Sequence, residues 1–384
     1  MISFIVFVFA VYGSVHVYAF LKARNALQFG TLAGVVIAVF MLLMIFALFL
    51  VRALEDHDYE ITAQVLAYVT YFWMAALFLF FCSSLIFDIY ALLTRIAGWL
   101  TRSDISAYLP TARLVFFSCL GISLVINVYG YFEAKDIRLE RVRIETTKLP
   151  YGIDRLTIAQ ISDVHLGLVN RGERFRPMLN AVKDAKPDIF VVTGDLVDAQ
   201  INHLTGLAEM LGEIKAKYGK YAIMGNHEYY AGPEKSLAFI RAAGLTMLRD
   251  EAVMDGPITI VGVDDRTAAQ LNVRHPSAEK ELLKGLSRDK FILFLKHQPR
   301  IDPNTIGLFD LQLSGHTHKG QIFPFTLLTR LMFPLDAGNH ELGKGSLLHV
   351  SRGTGTWGPP IRFLSPPEVT VIELVRKPVI PAAS

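Results

Sequence analysis

The sequence predicts an α/β domain preceded by four transmembrane helices, and three observations predict it. Hydrophobic residues make up 52% of the 384-residue chain, more than an ordinary soluble protein carries. The excess is concentrated in four nearly uncharged runs within the first 132 residues. Beyond residue 133, short β-forming runs alternate with helical stretches, and most of those runs stop at a polar motif. Strands alternating with helices imply an α/β fold, in which ligands gather at the carboxyl ends of strands.

The apolar runs cover residues 2–21, 31–51, 65–92 and 114–132, each close to the ~20 residues that a helix needs to cross a bilayer. Buried core helices usually carry a polar stripe, and these runs carry none. Ile2 follows Met1 without a basic stretch, so the first run reads as a retained anchor rather than a cleaved signal. Lys22, Arg24, Arg95, Arg102 and Arg113 gather after the first and third runs, whereas Arg52 stands among acidic neighbours after the second. The positive-inside rule then favours an extracytoplasmic soluble domain. Lys135, Arg138, Arg141, Arg143 and Lys148 pull the other way, but they belong to the first strands of the folded domain, where the rule weakens. Trp99 and Tyr108 suggest an interfacial stretch between the third and fourth runs. Both cysteines, Cys82 and Cys119, lie in apolar runs, which leaves the soluble half without disulfides or thiolate ligands.

The domain boundary falls near Glu133. Residues 1–132 are assigned to the membrane, 133–150 to a linker and first strand region, 151–376 to the α/β domain and 377–384 to a short tail. Ile137, Leu139, Val142 and Ile144 suggest strand spacing, and further strands are expected at 156–161, 189–193, 221–224, 291–295 and 311–313. Helical stretches are expected at 172–185, 203–218, 234–243 and 277–287. The net charge of +3 is small and its basic residues are scattered, which argues against a nucleic-acid partner.

Five motifs stand at the strand ends: SDVHLG from Ser162 to Gly167, GD at Gly194 and Asp195, GNHE from Gly225 to Glu228, KH at Lys296 and His297, and GHTH from Gly315 to His318. Carboxylate and amide oxygens suit hard divalent ions and imidazoles suit zinc, iron and related ions, so the mixture is the donor set of a two-metal site. Glycines 167, 194, 225, 315 and 320 read as sharp turns that let backbone approach the metals. His16, His57, His203, His275 and His349 have no motif context and read as structural, while His340 stays unassigned.

In order and internal spacing, these motifs resemble the calcineurin-like metallophosphoesterases. LSGHTHKGQIFPF, VSRGTGTWGPPIRFLSPPE and the LP before the first motif look like that family's membrane-associated bacterial phosphohydrolase branch, and the likeness covers about residues 135–376. The resemblance implies a four-layer αββα sandwich and two divalent ions, manganese, iron or zinc. It assigns Asp163, His165, Asp195 and His318 to one ion, and Asp195, Asn226, His297 and His316 to the other, with Asp195 bridging. Two ions about 3.5–4 Å apart lower the pKa of a water and clamp the attacking and leaving oxygens at phosphorus. Asp195 and His227 are the expected catalytic residues. By the same resemblance His227 faces the phosphate, as general acid or cationic stabiliser, with Glu228 orienting its ring.

Arg352 and Arg362 flank the GTGTWGPP turn, where either could fork onto a phosphate oxygen or close a structural salt bridge. Residues 322–335 form an apolar loop that covers the core, dips into a membrane surface or holds an acyl chain. The expected function is an integral membrane phosphohydrolase cleaving phosphoester or diphosphate bonds of lipid or lipid-linked molecules. The alternative is a tethered phosphodiesterase of soluble esters. A non-catalytic scaffold would have lost ligands that are intact here, and too few ionisable residues sit in the apolar runs for transport.

Overall fold

Long uncharged runs leave the N-terminal third no structure in lipid except helices that satisfy their own backbone. It folds into α1 (Ile2–Leu27), α2 (Thr31–Asp56), α3 (Glu60–Thr101) and α4 (Ala112–Glu133). The computed structural model describes residues 2–198, 204, 206–275 and 278–377, which leaves His203 and most of the expected tail outside the described residues. Two compact units result, one of residues 1–132 with Gly358–Ile361, the other of residues 133–357 and 362–384.

Three of the four expected spans are membrane candidates among the described residues. Thr31–Asp56, Glu60–Thr101 and Ser106–Glu133 are, among the described residues, long and apolar enough to cross a membrane. α1 is helical too, and its last two turns carry Lys22, Arg24 and Asn25. α3 runs well past the expected 65–92. Its 42 residues, at 1.5 Å each, span about 63 Å, twice the ~30 Å of a hydrocarbon core.

The second unit begins with β1 (Arg138–Thr146), β2 (Arg155–Ile161), α5 (Gly172–Asp184), β3 (Ile189–Thr193), α6 (Leu207–Gly212), β4 (Lys220–Ile223), α7 (Asn226–Ala231), α8 (Pro233–Ala242) and β5 (Thr246–Met247). It continues with β6 (Glu251–Val253), β7 (Thr259–Gly262), α9 (Thr267–Gln270), α10 (Glu279–Lys284), β8 (Ile292–Leu295), β9 (Leu311–Ser314), α11 (Phe325–Met332), β10 (Gly338–Gly343), β11 (Ser346–Val350) and β12 (Glu368–Arg376). Two six-stranded sheets form, in the orders β1-β12-β2-β3-β4-β5 and β10-β11-β9-β8-β7-β6.

Period-two alternation assigns each strand residue to a layer. Ala159, Ile161, Phe190 and Val192 turn outward onto Phe175, Leu179, Leu211 and Ile240 of α5, α6 and α8. Their neighbours Ile158, Ile189 and Val191 turn inward, onto Ile260, Leu293, Leu295 and Leu313 of the other sheet. On the far side Val261, Ile292 and Phe294 pack on Leu283 of α10. The layers are therefore helix, sheet, sheet and short helix. Truncating a fully buried Ile158 to Ala in the middle layer would cost about 2–5 kcal/mol.

The expected 322–335 loop is corrected to a helix, α11, at its centre. Pro324 and Pro334 bracket it and hide the helical period from a sequence reading.

Candidate metal centre

Five parallel strands deliver the donors. β2, β3 and β4 are neighbours in one sheet, as β8 and β9 are in the other. Asp163 and His165 follow β2, Asp195 follows β3, Asn226 and His227 follow β4, His297 follows β8, and His316 and His318 follow β9. The buried Gln160 amide joins the sheets just below, donating to Thr193 Oγ1 at 2.8 Å and to the Ser314 carbonyl at 3.1 Å. Asp163, His165, Asp195, His316 and His318 all adopt left-handed backbone, with φ between +48° and +72°, an unfavourable region for residues with a Cβ. Gly225 and Gly315 explain how the loops come so close. A Cβ on Gly225 would strike the Asp195 carboxylate, and one on Gly315 would strike Ser162 and Asp163.

The side chains converge in overlapping groups: Asp163, His165 and His318; His165, Asp195 and His227; Asp195, His297 and His316. His165 Nε2 lies 3.0 Å from His318 Nε2, and His318 Nε2 lies 3.5 Å from Asp163 Oδ1. His297 Nε2 is 3.2 Å from Asp195 Oδ2, 3.1 Å from Asn226 Oδ1 and 3.2 Å from His316 Nδ1. Donors bound about 2.0–2.2 Å from a shared ion stand about 3.0–3.5 Å apart, so these spacings fit a metal. His165 Nδ1, the other nitrogen of its ring, is buried without a hydrogen-bond partner.

Electrostatics agree with that fit at His165, His316 and His318. Burial pushes His165 and His316 down to about 4, and burial with the neighbouring His165 and Arg362 charges takes His318 well below its usual range. Neutral imidazoles are the form that ligates metals. For His297 burial works against charge, but the Asp195 carboxylate overrides it and holds the ring well above its usual value. Burial raises Asp163 to about 6. The two aspartates thus demand positive charge at the centre.

The sequence reading paired His227 with Glu228, and the structure corrects it. Glu228 is fully buried, and its carboxylate accepts backbone N–H groups from Gly225 (2.7 Å), Asp195 (2.9 Å), Leu196 (2.7 Å) and Val197 (3.1 Å). It fastens the loop after β3 to the loop after β4. The His227 ring instead meets Asp198, with Nδ1 2.8 Å from Asp198 Oδ1. Asp198 was missed, although it stands three residues beyond Asp195 in the same GDLVD stretch. Also missed was Asp265, which accepts from Thr267 and, at 3.2 Å, from Gln298 beside His297.

Both arginines are engaged in structural contacts, the alternative weighed for them beside a phosphate contact. Arg362 is completely buried, donating to the carbonyls of Gly355 (2.6 Å), Arg352 (2.8 Å) and Ser365 (2.9 Å), with His318 Nδ1 3.2 Å away. Arg352 pairs with Glu368 at 2.6 Å and Glu140 at 3.0 Å. Of the isolated histidines, His349 joins a buried network with Asn339, Glu368 and Thr370, His16 Nε2 accepts from the Trp73 indole N–H, and His57 and His275 are exposed. His340 bonds the Ala337 carbonyl.

Residues 156–320, which contain all five motifs, match the calcineurin-like phosphoesterase family profile. An uncharacterized metallophosphoesterase of Aquifex aeolicus is 43% identical over 259 residues, covering 67% of this chain and 98% of that protein. The chain belongs to the calcineurin-like metallophosphoesterase family. A Helicobacter pylori metallophosphoesterase, also uncharacterized, is 34% identical over 280 residues, 70% of this chain and 74% of its own. A transmembrane protein with metallophosphoesterase domain from Danio rerio is 34% identical over 269 residues, 66% of this chain and 61% of that one. This metallophosphoesterase is therefore a metal-dependent hydrolase of phosphoesters, associated with membranes through its apolar helices. Its family uses a dinuclear metal site, which the clustered Asp and His donors fit.

Proposed function

We propose that this metallophosphoesterase is an integral membrane phosphohydrolase that cleaves phosphoester or diphosphate bonds of lipid or lipid-linked molecules at a dinuclear centre. The observation that carries the reading is the convergence of the three donor groups on Asp195 and His165. Asp163, His165, Asp195 and His318 would hold one ion, and Asp195, Asn226, His297 and His316 the other. Manganese, iron and zinc all suit this set. Bound there, two divalent ions supply Lewis acidity toward the phosphoryl oxygens and lower the pKa of the attacking water.

The chain's own residues do the rest. Asp198 engages His227 Nδ1, which leaves Nε2 as the nitrogen to meet the substrate and fixes how the ring is turned. From there His227 protonates the leaving oxygen or stabilises its developing charge. Glu228 keeps the Asp195 and Asn226 loops in register through its four backbone contacts. Lipid substrates are favoured by the apolar helices and by the exposed apolar side chains of α11. The loop charges favour an extracytoplasmic active site, which reporter fusions after Leu149 would check.

The deciding experiment is metal-dependent hydrolysis by the detergent-purified full-length protein, with lipid-linked phosphates in mixed micelles set against a water-soluble aryl phosphodiester. Activity should be strongest on the lipids and vanish in Asp195→Asn. Activity on the soluble diester alone would reduce the helices to a tether and sink the lipid reading. No hydrolysis with any of the three metals would sink the dinuclear mechanism as well.

A further inference from the structure

We infer that α11 lies in the membrane interface, seating the catalytic unit on the bilayer that the same chain spans. The helix is amphipathic in reverse. Thr326 and Thr329 face inward and are buried, Thr326 Oγ1 donating to the Lys319 carbonyl at 2.9 Å and Thr329 Oγ1 to the Phe325 carbonyl at 3.3 Å. Leu327, Leu328, Leu331 and Met332 face outward, with Leu331 80% and Met332 67% exposed. Phe323 and Phe325, just before and at the first turn, are exposed as well. Six large apolar side chains within ten residues make an apolar patch that water does not favour, and such patches mark interaction surfaces.

Three observations select a lipid surface as the occupant. The first is that this chain carries helices long and apolar enough to cross a membrane, the last ending at Glu133, with four residues between it and the start of β1 at Arg138. A bilayer is thus always close to the catalytic unit. The second is a short line of contacts inside that unit. The Glu133 carboxylate accepts the Leu364 N–H at 3.1 Å, Leu364 is itself exposed, and the adjoining Phe363 exchanges backbone hydrogen bonds with Phe323 and Gln321 on the approach to α11. Hydrogen bonds thus tie the residue at which the chain leaves the last apolar helix to the segment that leads into α11. The third is Arg330, half-exposed on the same helix and steadied by Asp336 at 3.1 Å, a long basic side chain of the kind that reaches back to headgroups.

Eight residues span only about 12 Å, too short to cross, so α11 lies flat with its apolar face about 5–10 Å into the headgroup and acyl boundary. The catalytic centre follows it there. Phe333, the residue after α11, packs its ring 5.2 Å from that of His316. The inference rests on the membrane association of the chain and not on its substrate, so a failed lipid assay would leave it standing.

The test is depth measurement on the full-length protein in bilayer nanodiscs. A nitroxide is placed at Leu331→Cys in a Cys82→Ala, Cys119→Ala background, with Glu281→Cys on α10 as the aqueous reference. Power saturation then compares collisions with oxygen, which partitions into acyl chains, and with a water-soluble nickel chelate. The oxygen-to-nickel ratio should be several-fold higher at Leu331 than at Glu281, and Leu327→Cys should follow Leu331. A ratio at Leu331 equal to that at Glu281 would place α11 in water and overturn the inference. Poor access to both reagents would mean a protein cover, such as a second copy of the chain, and would overturn it equally. Because each label sits on an exposed side chain and the readout needs no turnover, neither misfolding nor the wrong substrate can imitate these outcomes.

Discussion

Without the Asp198 carboxylate, His227 Nδ1 loses its 2.8 Å partner and the ring is free to turn or change tautomer. Asp198→Asn should therefore lower kcat by about 10–100-fold, the usual effect of removing a residue that orients a catalytic histidine. In a His227→Gln background the same change should do almost nothing, since the two act as a unit. Steady-state kinetics of the four proteins checks this, and additive losses would disprove the pairing. Arg362 makes the opposite kind of prediction. Burial lowers this guanidinium to about 10, yet its fork of donors has carbonyl partners on several sides. A lysine cannot reproduce that fork, so Arg362→Lys should destabilise the fold by about 3–5 kcal/mol. Thermal melting would show it; a normal melting temperature with only a raised KM would restore the substrate-contact reading. The clustered Asp and His residues were legible in the sequence, because each carries its chemistry in its side chain. The sequence could not supply Asp198 or the observed role of Glu228, since both depend on which way a loop turns.

Strands were the most legible elements, since β2, β3, β4, β8 and β9 each combine β-forming residues with a motif at the carboxyl end. Their partners were less so. β1 pairs in parallel with β12 some 230 residues away, Arg138 opposite Glu368, and no local pattern encodes such a pairing. α11 escaped because helical periodicity is usually read from buried apolar residues, and here threonines are buried instead. The start of β12 also carries a pH-sensitive link between the sheets. Burial favours the neutral form of Glu368, but His349 of β11 and Arg352 override it and hold the carboxyl below its usual value. A depressed acid stabilises the fold above its unfolded pKa and loses that contribution as pH falls through the folded value. Stability should hence decline as pH drops below about 4.5, and Glu368→Gln should flatten that decline. Melting temperatures between pH 3 and 6 read the difference; identical slopes would rule it out.

The molecule as a whole joins two regimes of folding. Lipid dictates helices from hydropathy alone, which is why the apolar region was visible at once. The catalytic unit instead depends on long-range closure of two sheets, and its donors come together only when both are in place. Metal binding should therefore be folding energy for this unit. Saturation at about 100 times Kd contributes about 2.7 kcal/mol, equivalent to about 5–10 °C in melting temperature for a unit of this size. Dialysis against a chelator should lower melting by that amount and abolish hydrolysis, with both restored by manganese, iron or zinc. A melt indifferent to chelation would mean that the donors are held apart from any ion.

The left-handed backbone at Asp163, His165, Asp195, His316 and His318 sets a design rule for anyone seeking a hardier version of this protein. Each such residue costs roughly 1–2 kcal/mol relative to a relaxed conformation, and glycine would remove that penalty at every one. The positions where stability is most cheaply gained are thus the ones where the donor atoms stand. A selection for heat tolerance without a selection for turnover would drift toward a sturdy, inert scaffold, so engineering of this chain has to screen for both at once.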